Sequence, residues 1–304
     1  MGRVIEIADP LVSLSLNRGF MKVQVDKIDK AQIALSDIDI LILNGLGASL
    51  TTNLLNELLE NLTTVIILGK NYSPSGIFYP TNPHSLHKQK INLQINASKP
   101  LNKRLWQAVV KAKITNQAKI LSFFSNEDQK QLFELAKKVA SGDPENIEAQ
   151  AARKYWQKLF GQDFRRDHSQ MGINSLLNYG YAILRSSTAR AVFSCGLNPA
   201  IGIHHNNIEN AFCLVDDLME PYRPIIDFVV KRIYEKNNKI EELDHSHKKD
   251  LSKILQIQIN VNNEITSLTN SLLRLCQSFV NSLEKQEEIL EFPSSPLPID
   301  FEIS

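Results

Sequence analysis

The apolar residues of this chain change their period once, near Pro80, and that single switch limits the folds open to it. Ahead of it come short runs at 3–7, 11–16, 19–25 and 32–36 that are β-branched or alternate with polar residues, then an unbroken apolar run at 39–43 ending at Asn44-Gly45. Runs of this kind, separated by polar breaks, predict strands, with the unbroken one buried on both faces. A helix over 49–62 interrupts them, with Ser49 or Thr51 as its cap and Leu50, Leu54, Leu55, Leu58 and Leu62 along one side. Strands at 64–68 and 76–79 follow. Past Pro80–Pro83 the spacing is helical: 100–124, 126–140, 144–159, 172–195 and 207–236, a charged loop over 237–250, and one or two helices within 251–290. The prediction is an α+β chain: a small β-rich domain at 1–80, a linker or helix at 81–98, and a larger all-α domain at 99–304.

At 304 residues, 43% hydrophobic and 22% charged, the chain is long enough for two such domains with real cores. Three widely spaced cysteines, Cys195, Cys213 and Cys276, make neither a disulfide frame nor a zinc pattern, and point to a reducing cytoplasm. No signal-peptide pattern opens the sequence and no apolar run is membrane-length. The net charge of +1 conceals an uneven distribution. Between Glu60 and Glu127 there is no Asp or Glu, while Lys88, Lys99, Lys103, Arg104, Lys111, Lys113 and Lys119 all fall there. Glu284, Glu287, Glu288 and Glu291 compensate near the C-terminus. This asymmetry predicts a basic surface for phosphates, with a merely solvated lysine face as the alternative.

Acidic residues in apolar surroundings are the second unusual feature. Glu148 shares a helix stripe with Ala151, Ala152 and Tyr155, the side expected to face the core. Asp216 and Asp217 stand one turn before Glu220, among Leu214, Val215, Leu218 and Met219. Two carboxylates about 4 Å apart repel by roughly 4 kcal/mol at a near-surface dielectric, and a bound divalent cation reverses that sign. Carboxylates with one imidazole suit Mg²⁺ or Mn²⁺ better than zinc. On pattern alone Glu148 is either such a ligand or an exposed carboxylate paired with Arg153 or Lys154. His204 and His205 are adjacent, so in an extended loop only one can face a given ion.

Four runs, in order, carry a resemblance: Glu-x-x-Ala-Ala-Arg-x-Tyr-Trp from Glu148, Asn-x-Leu-Leu-Asn-Tyr-Gly-Tyr from Asn174, Gly-Ile-His-His from Gly202, and Asp-Leu-Met-Glu-Pro-Tyr-Arg-Pro from Asp217. From Arg3 to about Pro293 the chain resembles the CRISPR-associated adaptation integrases, the universal first-numbered Cas proteins, which insert new spacers into a CRISPR array. The resemblance implies Glu148, His205 and Glu220 as catalytic metal ligands, with Glu220 standing where many relatives carry Asp. His204 and Asp217 are then expected behind the ligands, with direct ligation open for Asp217, and Asp216 is expected to point away. It further implies dimers joined through the β-rich domain, two of them bridged by a small second adaptation protein. Double-stranded DNA is expected as both spacer precursor and repeat. The opening residues look most like type II systems, which adds the effector nuclease as a possible partner.

Lys103, Arg104, Lys111, Lys113, Arg153, Arg165, Arg166 and Asn178 are the expected DNA contacts. For Arg165 and Arg166 the alternative is surface pairing with Asp163 and Asp167. Serine, tyrosine or cysteine signatures of covalent strand transfer are absent, so the expected reaction is metal-assisted transesterification by a DNA 3′-hydroxyl. Two other readings stay open: a metal-dependent nuclease that cuts without joining, and a scaffold that binds DNA ends without chemistry.

Overall fold

Alternation in the first part of the chain resolves into two sheets. A computed structural model describes residues 3–44, 47–69, 74–78, 87–124, 129–237, 240 and 242–294; the Pro80–Pro83 boundary lies outside them. No helix among the described residues is long and apolar enough to cross a membrane. The chain divides into two units, residues 1–83 and 84–304.

In the first unit, β1 (Arg3–Ile7), β5 (Ile38–Leu43) and β7 (Thr64–Leu68) run parallel, and β8 (Pro74–Phe78) closes that sheet antiparallel. The second sheet is β4 (Ile28–Ala34), β3 (Phe20–Val25), β2 (Val12–Asn17) and the short β6 (Ser49–Leu50). Helix α1 (Thr52–Glu60) starts later than its leucine spacing suggested. Ser49 and Leu50 pair with β2, and the Thr51 hydroxyl accepts from Leu54 N–H at 3.4 Å as the cap. Val12, Leu14, Met21, Ile38, Leu41, Leu54, Leu58 and Val65 form the core between the layers.

The second unit is helical: α2 (His87–Ile95), α3 (Lys99–Phe124), α4 (Gln129–Lys138), α5 (Ile147–Phe160), α6 (Ile173–Ser194), α7 (Cys213–Met219), α8 (Arg223–Asn237), α9 (His245–Ser252) and α10 (Leu268–Lys285). Nearly all of α6 is buried, packed against α7, α8, α9 and α10. Gly180 lets α6 and α8 pack closely, since a Cβ there would lie 2.4 Å from Ile226 Cγ2.

Two details depart from the expected element pattern of this unit. Residues 258–267 form a hairpin, β9 (Gln258–Val261) with β10 (Glu264–Ser267), turned by Asn262 and Asn263, both at positive φ. The charged segment expected as a loop contains α9, capped by Asp244, whose side chain accepts from His247 N–H while His247 returns the bond.

Candidate active site

Helix α5 begins at Ile147, three residues after the Gly-Asp-Pro start expected from sequence. Asn146 sits in the left-handed region at φ 51° and accepts from Ala149 N–H at 3.3 Å. Asp143 accepts from Ile147 N–H at 2.9 Å and Glu148 N–H at 3.0 Å. With the first-turn donors satisfied in this way, Ile147, Ala151, Tyr155 and Leu159 face the core and Glu148 projects towards α3.

Glu220 stands at a break. Pro221 has no N–H to continue the helical ladder, so residues 220–222 tighten into a single 3₁₀ turn between α7 and α8; of the kink or break that Pro221 and Pro224 allow in the helix expected over 207–236, the structure shows a break. Asn116 of α3 pins the break by donating to the Pro221 carbonyl at 2.8 Å. Lys113, one turn earlier on α3, places its Nζ 2.5 Å from Glu148 Oε1 and 2.5 Å from Glu220 Oε2. Arg223 Nε lies 2.9 Å from Glu220 Oε1. Glu220 is only 6% exposed, and its Oε2 is buried and receives no well-aligned hydrogen bond despite the nearness of the ammonium. Burial works against ionisation of Glu220, but the charges of Arg223 and Lys113 outweigh it and hold the carboxyl below its usual range. Lys113 mirrors this: burial opposes its charge, and Glu220 and Glu148 together raise its pKa.

The Gly202–His205 loop wraps around Asp217, a fully buried side chain at 0% exposure. Asp217 accepts from the backbone N–H groups of Ile203 at 2.6 Å, His204 at 2.9 Å and His205 at 3.4 Å, and from His205 Nδ1 at 2.5 Å. Donation from Nδ1 leaves the Nε2 lone pair of His205 to face a ligand. Glycine is required at 202, where a Cβ would come within 2.3 Å of the His205 carbonyl oxygen. Trp106 of α3 stacks on His204 at 4.3 Å and meets His205 edge-on at 5.6 Å. The Asp217 hydrogen bond raises the His205 pKa against the opposing effect of burial, and the charges of Glu220 and Glu148 add to the rise. Asp216 points elsewhere, into a bidentate pair with Arg185 at 2.6 and 2.9 Å.

Among the expected DNA contacts the structure separates two groups. Lys103, Arg104, Arg153 and Arg165 are exposed, and Lys111 is half-buried. Lys113 is turned inward instead, 12% exposed between the two glutamates. Arg166 donates to Asn174 at 2.9 Å and to Asn178 at 2.7 Å, and Asn178 is itself buried, so this pair braces the start of α6. The acidic C-terminal segment also touches the basic stretch: Lys90 pairs with Glu284 at 2.6 Å, Arg104 donates to the Gln286 carbonyl at 3.2 Å and Lys119 to that of Ser294 at 2.5 Å. The basic stretch and the C-terminal segment therefore meet in part.

Sequence reasoning placed Lys113 among the DNA contacts rather than between the two glutamates, and missed Arg223 and Trp106. A signal was present, since Trp106, Val109, Val110, Lys113, Asn116, Gln117 and Ile120 form one stripe of α3, and a lysine on a buried stripe needs anions. Among the described residues no three of His, Cys, Asp and Glu are grouped so as to hold a metal ion. Two carboxylates converge on one cationic nitrogen.

The family model described as CRISPR associated protein Cas1 matches residues 6–260, which include Glu148, His205, Asp217 and Glu220. The chain belongs to the Cas1 family. Its similarity to a CRISPR-associated endonuclease Cas1 of Neisseria meningitidis serogroup C (strain 8013) is 35% identity over 92% of both chains. A CRISPR-associated endonuclease Cas1 of Saccharolobus solfataricus is 25% identical over 75% of both. The Cas1 fold, a β-rich region followed by a helical one, recurs in solved structures. A CAS1 protein from Thermotoga maritima matches with a TM-score of 0.76 at 16% identity, over 94% of this chain and 98% of that one. A casposase bound to integration product matches with a TM-score of 0.82 at 21% identity, over 99% of this chain and 96% of that one.

Proposed function

We propose that this Cas1 family member is a metal-dependent DNA endonuclease and integrase of CRISPR adaptation, joining the 3′-hydroxyl of a DNA fragment to the backbone of a CRISPR repeat. One observation carries the reading: Glu148 from α5 and Glu220 from the α7–α8 break meet at a single cation position, 2.5 Å from Lys113 Nζ in each case. The donor set suits Mg²⁺ or Mn²⁺. It offers hard carboxylate oxygens, one of them buried without an aligned hydrogen bond, and one imidazole held in the tautomer that leaves Nε2 free. The names of two relatives, the endonuclease of N. meningitidis and the casposase bound to integration product, support the nuclease and joining halves of the reading.

Glu148, His205 and Glu220 would hold the ion. When bound, it supplies Lewis-acid stabilisation of charge on the attacked phosphodiester and favours the deprotonated 3′-hydroxyl. Asp217 fixes the imidazole by accepting from Nδ1, and Trp106 limits its rotation through the edge contact. Arg223 holds one Glu220 oxygen in place, leaving the other turned towards α3. The exposed Lys103, Arg104, Arg153 and Arg165, with Lys111, are the proposed DNA-backbone contacts, and positioning of two DNA molecules supplies the remainder of the rate. A structural neighbour that is a Cas6-RT-Cas1–Cas2 complex supports a second adaptation protein as partner, to which we add a homodimer and, in a type II setting, the effector nuclease.

The test is one reaction: purified protein, Mn²⁺, a short duplex with free 3′-hydroxyls, and a supercoiled plasmid carrying repeats. Joined products that vanish with Glu148→Ala support the integrase. Cleavage without joining supports a nuclease, and DNA binding indifferent to Glu148→Ala supports a scaffold.

A further inference from the structure

Lys113 is a largely buried cation on α3, and it touches both carboxylates that bracket the proposed metal position. A divalent ion bonded to the same two oxygens at about 2.1 Å would lie no more than about 3.6 Å from a nitrogen that is itself 2.5 Å from each, too near for two cations in a site mostly closed to water. Ammonium and dication cannot share that space. The remaining cation, Arg223, sits on the other Glu220 oxygen at 2.9 Å and is not in the way. Without some cation between them, Glu148 and Glu220 would face each other ionised in a largely dry site, which is unfavourable. We infer that Lys113 is a positioning residue that stands in for the divalent ion, holding Glu148 and Glu220 together in the metal-free protein and withdrawing when the ion arrives. A four-carbon stem carrying a point charge suits the task, since it can retreat without disturbing α3. The arrangement makes loading an exchange of one cation for another, and it raises the ion concentration needed to load.

The inference rests on Glu148 and Glu220 being the metal ligands, and the experiment separates the two claims. Mn²⁺ binding is measured by electron paramagnetic resonance of the free ion, and thermal unfolding is followed with and without Mn²⁺, for the wild type, Lys113→Met, Lys113→Arg and Glu220→Ala. Lys113→Met is expected to bind Mn²⁺ about tenfold or more tightly, since it removes a close like charge. Its metal-free midpoint should fall by several degrees and recover in saturating Mn²⁺. Lys113→Arg keeps a cation there and should restore the metal-free midpoint without tightening the ion. On the unmodified protein, acetylation of Lys113 should be slow without metal and faster in saturating Mg²⁺, while that of Lys22 stays constant.

Mn²⁺ affinity that is unchanged or weaker in Lys113→Met, with Glu220→Ala still abolishing binding, overturns the exchange and leaves the metal reading standing. Wild-type Mn²⁺ binding that ignores Glu220→Ala overturns both. Should Lys113→Met fail to fold, a Lys113 acetylation rate indifferent to Mg²⁺ overturns the exchange by itself.

Discussion

Glu220 and Asp227 lie on one helical run, on either side of the start of α8, and both are buried, yet their surroundings treat charge in opposite ways. Glu220 is met by Lys113 and Arg223 and is held ionised. Asp227 is met by hydroxyls: Tyr155 donates to Oδ2 at 3.0 Å and Tyr181 donates to Oδ1. Burial pushes Asp227 up to about 7, against the hydrogen bonds of both tyrosines and the charges of Arg223 and Arg166. The comparison shows that depth alone does not decide whether a carboxylate keeps its charge. Contact with cations does, and Lys113 and Arg223 provide it at Glu220. The two clusters are linked, since the Arg223 guanidinium lies over the Tyr181 ring at 4.7 Å while its Nε faces Glu220.

The largest expected effect falls on the charged cluster. Glu148→Ala, His205→Ala or Glu220→Ala each should lower single-turnover strand joining by roughly a thousandfold, the loss of several kcal/mol of transition-state stabilisation, while equilibrium DNA binding moves little. Joining that survives these changes places the chemistry elsewhere and dissolves the contrast with Asp227. Asp217→Asn is milder, because it touches no reacting atom. It should weaken Mn²⁺ binding by about 10- to 100-fold by disturbing the His205 tautomer, and an unchanged titration would show that the imidazole is held by the Trp106 contact instead.

Asp227 answers to pH. Its folded pKa stands above the unfolded value, so the stability gained by holding the proton is complete below the unfolded pKa near 3.8 and is lost as pH rises through about 7. Thermal midpoints measured between pH 4 and 8 should therefore show a falling contribution in the wild type that Asp227→Asn removes. An identical slope in both proteins would mean that Asp227 is ionised like Glu220. The smallest effect per residue belongs to the outer basic positions. Neutralising Lys103, Arg104 and Lys111 should weaken DNA binding regardless of sequence, and the salt slope should flatten by about 0.9 for each DNA phosphate that is no longer neutralised. A slope that stays put would move the DNA path away from this part of α3.

Much of the helical scaffold could be read from spacing. The stripe expected on α5, Glu148 with Ala151, Ala152 and Tyr155, marks the helix, but the buried face is Ile147, Ala151, Tyr155 and Leu159, with Glu148 at its edge; Asn198-Pro199 follows the end of α6. Boundaries were harder where side chains cap unusual backbone: the left-handed Asn146 with Asp143 delays α5, and Asp244 with His247 makes a helix of a segment that reads as charged loop. The hairpin at 258–267 had its sign in the Asn-Asn turn, but flanking helical patterns masked strands that short. Within the candidate site, Glu148, His205, Asp217 and Glu220 could be named from motifs. Their roles relative to Lys113, Arg223 and Trp106 could not.

Local pattern determined the two-part architecture, the membership in the Cas1 family and the identity of the unusual acids and histidines, because periodicity and short motifs are properties of neighbouring residues. Only the tertiary structure decided which cation meets which acid. Lys113 and Asn178 both looked like DNA contacts in a one-dimensional reading, and packing of α3 against α5 and the α7–α8 break turned the first towards two glutamates, while Arg166 closed over the second. Burial makes an unpaired charge costly, so once the helices are packed the partners of Glu148 and Glu220 are set by what lies within reach across helices, a distance that sequence separation does not encode.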